Sequence, residues 1–326
     1  FSLAQRLEKT AGLNENLGAD LNNEGLVWRA LGNYDKAMAA FSGAAELAQG
    51  LALPRDEGIA LSNRAIIHRI QGNFTDSLED YKQATQCFEK AGSKYGRANV
   101  ELGMAKLVTA SDRDYTKAWA HATKALSLFS EIGDVRGEVE ARNIMAFLIK
   151  EGNSASSGTR DLLIEEEPSK HLGMPPSEAL GKIRELLGAS LEVAERLGDN
   201  ENIWECHQGL GYADWKSGEL DAALEHYRKA IESLTAVRSK ASSKELSGSY
   251  LKNKQDVFAE ALAVASELNK TRPSNDLGKL ILSWSDMMLN EVMKSGMGRA
   301  RMRYENKEKE GLRAKLDDLA ERRSSV

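Results

Sequence analysis

Gly32-Asn33 and Gly72-Asn73 stand 40 residues apart, and Gly152-Asn153 follows 80 residues later. The residues after the first two pairs repeat with them. Tyr34, Ala37, Phe41 and Ala44 are matched by Phe74, Ser77, Tyr81 and Ala84, so aromatic and small residues alternate at steps of three, four and three. Those steps place all four on one face of a helix. Two further copies run Tyr115, Ala118, Ala122, Ala125 and, after Gly218, Leu220, Ala223, Tyr227, Ala230. A period of about 40 residues accommodates two helices. Small residues on the repeating face let the helices of such a hairpin approach closely while the ring fills the gap beside them. One hairpin cannot bury both of its faces, so hairpins must stack. The repeat predicts an all-α, strand-free chain: antiparallel helical hairpins stacked as a right-handed superhelical solenoid.

Composition agrees with helices. The 326 residues include only 5 Pro, none between Pro54 and Pro168, while 27 Gly recur near the ends of apolar-periodic stretches, where a helix C-cap favours a positive φ. A net charge of −5 gives no general attraction to nucleic acid or anionic lipid, and no apolar run reaches the roughly 18–20 residues that span a bilayer. Neither nucleic acid nor membrane is expected as a partner. Two cysteines, Cys87 and Cys206, cannot build a disulfide framework and fit a reducing cytoplasm. The chain starts at Phe1, and Leu3, Leu7 and a stop at Gly12 are expected to form the second helix of a truncated hairpin within a longer protein.

Leu210-Gly211, Ala223, Tyr227 and Ala230 carry a pattern that resembles the tetratricopeptide family. Polar, Gly-bearing turns expected before the first helices, Arg55–Gly58, Ser93–Gly96, Gly133–Gly137 and Leu197–Asp199, are similar to those of its long-helix subclass, found in kinesin light chains and Leu-Gly-Asn spindle-orientation adaptors. The resemblance covers roughly residues 1–235. The third copy lacks the aromatic at its third position, and Gly209 stands for Asn in the fifth.

The expected organisation is hairpins over 1–152, a flexible acidic insertion over 153–176, further hairpins over 177–240, a closing hairpin over 241–295 and a charged C-terminal helix over 296–326. The insertion falls in the turn between the helices of the fourth hairpin and carries Glu165-Glu166-Glu167. The closing hairpin rests on Tyr250, Val257, Ala261, Val264 and Leu268, which share a helical face.

No chemistry-bearing constellation is present in the sequence. His68, His121, His171, His207 and His226 are scattered without zinc-type spacing, and Cys206 and His207, being adjacent on a helix, point about 100° apart. There is no phosphate loop or nucleophile elbow. Neither catalysis, a metal nor a cofactor is expected. Trp28, Trp119, Trp204, Trp215 and Trp284 read as packing residues.

Asn23, Asn63 and Asn143 lie ten residues ahead of the three Gly-Asn pairs and share a phase. The resemblance implies that first helices line a concave groove, where Asn can bond both polar groups of a ligand main chain. The same residues can instead join adjacent helices. Arg29 and Arg69, six residues beyond the first two Asn, can meet a ligand carboxylate, and the acidic insertion makes a self-ligand for them. The sequence thus predicts a non-enzymatic scaffold that binds a protein or peptide in its groove. The alternative is the helical regulatory arm of a larger enzyme, a caspase-like CHAT protease or a signalling ATPase.

Overall fold

The structure is a computed structural model that describes residues 3–154, 172–240 and 255–288. Among the described residues there are no strands. The helices are α1 (Leu3–Ala30), α2 (Tyr34–Gly50), α3 (Pro54–Gln71), α4 (Phe74–Lys90), α5 (Lys94–Ser111), α6 (Tyr115–Ile132), α7 (Val135–Ser154), α8 (Pro176–Leu197), α9 (Asn200–Lys216), α10 (Leu220–Lys240) and α11 (Gln255–Thr271), followed by a helix over 275–288. The chain divides into two compact units, Phe1–Val237 and Arg238–Val326.

Local chemistry sets the helix ends. Pro54 and Pro176 stand in the first turns of α3 and α8, where the missing N–H costs nothing. The side chains of Asn33, Ser93, Asp114 and Asp199 accept from backbone N–H groups three residues on, satisfying donors that the first turn leaves orphaned. Gly72 closes α3 at φ 83°, a left-handed cap that a side chain would strain.

Consecutive helices pair as hairpins α1/α2, α3/α4, α5/α6 and α7/α8, and first helices of successive hairpins also adjoin, α1 to α3, α3 to α5, α5 to α7 and α7 to α9. The first helices therefore form a continuous wall. The repeating face is the core: Ala37, Phe41, Ala84, Ala118, Ala122, Ala125, Ala223, Tyr227 and Ala230 are all fully buried. Each buried ring contributes roughly 1.5–3 kcal/mol of apolar transfer.

The rings reach further than their own hairpins. Phe88 of α4 is clamped between α3 and α5: a methyl group placed on Gly58 would lie 2.9 Å from its Cε1, and one on Gly96 would lie 2.5 Å from its Cγ. Phe129 of α6 meets Gly137 of α7 in the same way. Gly58, Gly96 and Gly137 are thus not turn residues, as the sequence suggested. They sit inside α3, α5 and α7, where Gly96 and Gly137 admit a ring from the preceding helix and Gly58 one from the following helix. Two other expectations are corrected. Gly12 does not stop a helix, since α1 runs unbroken through it. Gly152 lies inside α7, packed against Tyr115, so the third Gly-Asn belongs to a helix and is not a turn that precedes one.

Antiparallel partners α7 and α8 are joined by the segment between Ser154 and Pro176; residues 155–171, with Glu165–Glu167, lie outside the described residues. In the second unit α11 buries Val257, Phe258, Ala261, Val264, Ala265 and Leu268 on one stripe, and the helix over 275–288 buries Trp284. Tyr250, the end of the expected closing hairpin from residue 289 and the charged tail over 296–326 also fall outside the described residues.

Partly buried ion pairs tie helices together. The Arg64 guanidinium of α3 donates to both carboxylate oxygens of Asp80 on α4, at 2.8 and 2.6 Å, and to Ser42 Oγ of α2. Arg184 of α8 does the same work further along, donating to Asp214 of α9 at 2.9 Å and to Ser217.

Candidate functional site

The wall of first helices carries a groove of about 510 Å³. On α3 the residues Arg55, Ile59, Ser62, Ile66 and Arg69 line it, at steps of four and three that hold one helical face toward it. Tyr95, Asn99, Leu102 and Lys106 do so on α5 at the same steps, α1 contributes Arg29, and α7 contributes Glu140. Tyr81 and Phe88 of α4 reach it from behind.

Its floor is built of donors. Tyr81 is 2% exposed, and a methyl on Gly103 would lie 2.5 Å from its hydroxyl oxygen. The hydroxyl thus enters the groove through the space that Gly103 leaves in α5. Arg69 stands close enough to donate to the hydroxyl oxygen, but the hydroxyl proton meets no acceptor there, and neither does the buried Nε of Arg69. Burial pushes the Tyr81 phenol up to about 12, against the opposing pull of Arg69 and Arg29 beside it, so it remains a neutral donor at neutral pH. Burial also draws the Arg29 guanidinium below its ordinary value, though arginine stays charged. Among the described residues neither Arg29 nor Arg69 meets a carboxylate. Arg55 and Lys106 add positive charge, with Glu140 as the one acid in the lining.

The predicted asparagines do not form one ladder. Asn63 lines the groove, but its Nδ2 donates to Asn22 Oδ1 at 2.9 Å, joining α3 to α1. Asn143 is 7% exposed. Its Nδ2 donates to Asn202 Oδ1 at 3.1 Å and to Glu205 of α9, while its Oδ1 accepts from the Cys206 thiol. A buried amide must be satisfied, and at Asn143 the next hairpin satisfies it, which makes Asn143 an architectural joint. Asn23 is exposed beside a separate, smaller hollow between α1, α2 and α3. The groove therefore unites Arg29, Asn63 and Arg69, and leaves out Asn23 and Asn143.

Sequence reasoning did not find Tyr81, Asn99 or Lys106. Tyr81 carries the periodicity of a core ring and is one; only the small neighbour at Gly103 could have signalled that its hydroxyl emerges. Asn99 matches Ile59 in the 40-residue register, so no polar repeat pointed to it.

Elsewhere the polar chemistry is structural. Burial pushes the thiols of Cys87 and Cys206 up to about 11 and about 12, which leaves both protonated and unreactive at neutral pH. His207 Nδ1 lies 2.9 Å from His226 Nδ1, in a cluster completed by Asp214 and Arg184. Among the described residues no group of three His, Cys, Asp or Glu side chains could hold a metal ion, and no helix is long and apolar enough to cross a membrane.

A series of hairpins whose first helices wall a groove defines a helical-repeat solenoid. A family model for the tetratricopeptide repeat matches residues 205–233, most of α9 and of α10, the two helices of the fifth hairpin. The chain thus carries a tetratricopeptide repeat over residues 205–233, within an all-α solenoid of tetratricopeptide-like fold. No curated protein matches it significantly. Among solved structures it is similar to BtubC from P. vanneervenii at a TM-score of 0.56 and 15% identity, over 81% of this chain and 92% of that one. It is also similar to a Rap protein complexed with Competence and Sporulation Factor, at a TM-score of 0.51 and 14% identity, over 83% of this chain and 75% of the other. At these identities the likeness is one of fold.

Proposed function

We propose that this chain is a non-catalytic interaction module that holds an extended segment of a partner protein in the groove between Arg29, Asn63, Arg69, Asn99 and Lys106. The observation that carries this reading is a groove whose floor donors lack acceptors. Buried polar groups are ordinarily paired, and a cluster of unpaired donors beside the apolar Ile59, Ile66 and Leu102 suits a ligand that brings both carbonyl oxygens and side chains. Asn99 Nδ2 is bonded only to the Tyr95 carbonyl of its own helix, at 2.9 Å, so its Oδ1 can accept from a ligand main-chain N–H. The fold is compatible with such a role, since the Rap protein noted above was solved as a complex.

Selection of displayed random peptides against the whole chain, followed by fluorescence anisotropy, tests the reading. Selected peptides should lose at least tenfold in affinity on Asn99→Ala, a change of about 1.4 kcal/mol, and should fail to bind Ile66→Lys. Peptides that bind both variants as well as the parent protein would place recognition on another surface.

A further inference from the structure

Three features meet on the groove floor. The Tyr81 hydroxyl comes from a second helix, is nine-tenths buried or more, and reaches the groove through the space at Gly103. Neither it nor the Arg69 Nε has an acceptor. Arg29 stands beside the same hydroxyl, and it too meets no carboxylate among the described residues.

The charge and donor count discriminate between ligands. One carboxylate is saturated by one guanidinium through two parallel bonds. Here two guanidinium groups and a hydroxyl share one floor, with Arg55 and Lys106 adding two positive charges to the lining and Glu140 only one negative. An acceptor matched to that set has three oxygens and a charge near −2, which describes a phosphoryl group on a side chain. Arginine suits it because its planar fork binds phosphate bidentately, and the Tyr81 phenol supplies the donor for a third oxygen.

Resting on the groove reading above, we propose that Arg29, Arg69 and Tyr81 form a subsite for a phosphorylated side chain of the bound segment. Tyr81 acts here as a specificity residue and Arg69 as the principal charge contact.

Three sub-libraries of random peptides, identical except for phosphoserine, glutamate or serine at the central position, should be titrated against the full chain by anisotropy in 0.15 M salt. Phosphoserine peptides are expected to bind at least tenfold more tightly than the other two sets. Arg69→Gln should abolish that preference and Tyr81→Phe should reduce it severalfold, with neither variant lowering the melting temperature. Equal binding of all three sets overturns the phosphoryl subsite and leaves the groove reading standing, while glutamate matching phosphoserine overturns it in favour of a carboxylate. A preference that survives Arg69→Gln places the anion elsewhere and also overturns it. If no set binds, the groove reading fails, and thermal shift with phenyl phosphate against chloride at equal ionic strength decides the subsite alone. Protection by phenyl phosphate that is lost in Arg69→Gln supports it, and absence of protection overturns it.

Discussion

Replacing Gly96 by Ala should destabilise the protein, although the same change in an open helix stabilises. Gly96 lies in the first turn of α5, where Ala is the better helix former by about 0.5–1 kcal/mol. Against that gain, the added methyl would sit 2.5 Å from Phe88 Cγ. The ring cannot retreat toward α3, because the backbone at Gly58 holds its other side. Inserting a methyl into such a packed site typically costs about 1–3 kcal/mol, and a clamped ring belongs toward the upper end of that span, so the net loss should be about 1–2 kcal/mol. At about 2–4 °C per kcal/mol for a domain of this size, the melting temperature by circular dichroism at 222 nm should fall by several degrees. Gly188 supplies the control: it is exposed on α8, and a methyl there meets nothing within 4 Å. Gly188→Ala should raise stability by about 0.5–1 kcal/mol. Combining Gly96→Ala with Phe88→Leu should recover part of the loss, a coupling expected of residues in contact. A Gly96→Ala protein that melts at or above the parent temperature, or one whose penalty is unchanged in the Phe88→Leu background, would refute the clamp.

Asn143→Ala should lower stability by about 1–3 kcal/mol in urea titrations, since it strips the α7–α9 joint, taking the donor from Asn202 Oδ1 and the acceptor from the Cys206 thiol, whereas Asn23→Ala at its exposed position should stay within about 0.5 kcal/mol. Burial, with His226 and then Lys229 adding to it, pulls the His207 imidazole down to about 4. The folded chain therefore favours the neutral ring, and the associated stability is complete above the unfolded value near 6.5 and is lost as pH falls from there toward about 4. Asp214 faces the neighbouring His226 and opposes the shift of that ring. Melting temperatures between pH 7.5 and 4.5 should fall less steeply for His207→Asn than for the parent protein, and parallel curves would remove His207 as the cause.

The fold was legible because it is written in residues that repeat. Ala37, Ala84 and Ala223 are buried where their shared phase placed them, and a helical face repeated every 40 residues has few ways to be covered. Glycine misled in two ways. At Gly58, Gly96 and Gly137 it marks a space for a ring within a helix, and a single sequence does not separate that use from a turn; the clue lay eight residues upstream, in Phe88 before Gly96 and Phe129 before Gly137. At Gly12 the cost of one glycine was too small to end α1. The site was less legible than the fold. Arg29, Asn63 and Arg69 reach one groove, but the shared phase of Asn63 and Asn143 reflects helix joining at least in part, as their bonds to Asn22 and Asn202 show. Tyr81 is both core and surface, and a periodic pattern reports only the first.

The clamp on Phe88 bears on how such a chain can gain or lose repeats. A ring supplied by one hairpin is seated partly in the next, so a cut at a hairpin boundary separates a plug from its socket. What a change in repeat number must conserve is the spacing from ring to seat. Phe88 and Phe129 are 41 residues apart, as are Gly96 and Gly137, so excising 89–129 would set Phe88 before Gly137 in the spacing it now keeps with Gly96. Shortening by that length keeps every seat filled, while shortening from Lys94 to Ile132 leaves Phe88 facing a helix start displaced by two residues. Duplication and deletion that keep every seat filled are therefore constrained in length, to 41 residues across this hairpin, wherever the cut falls.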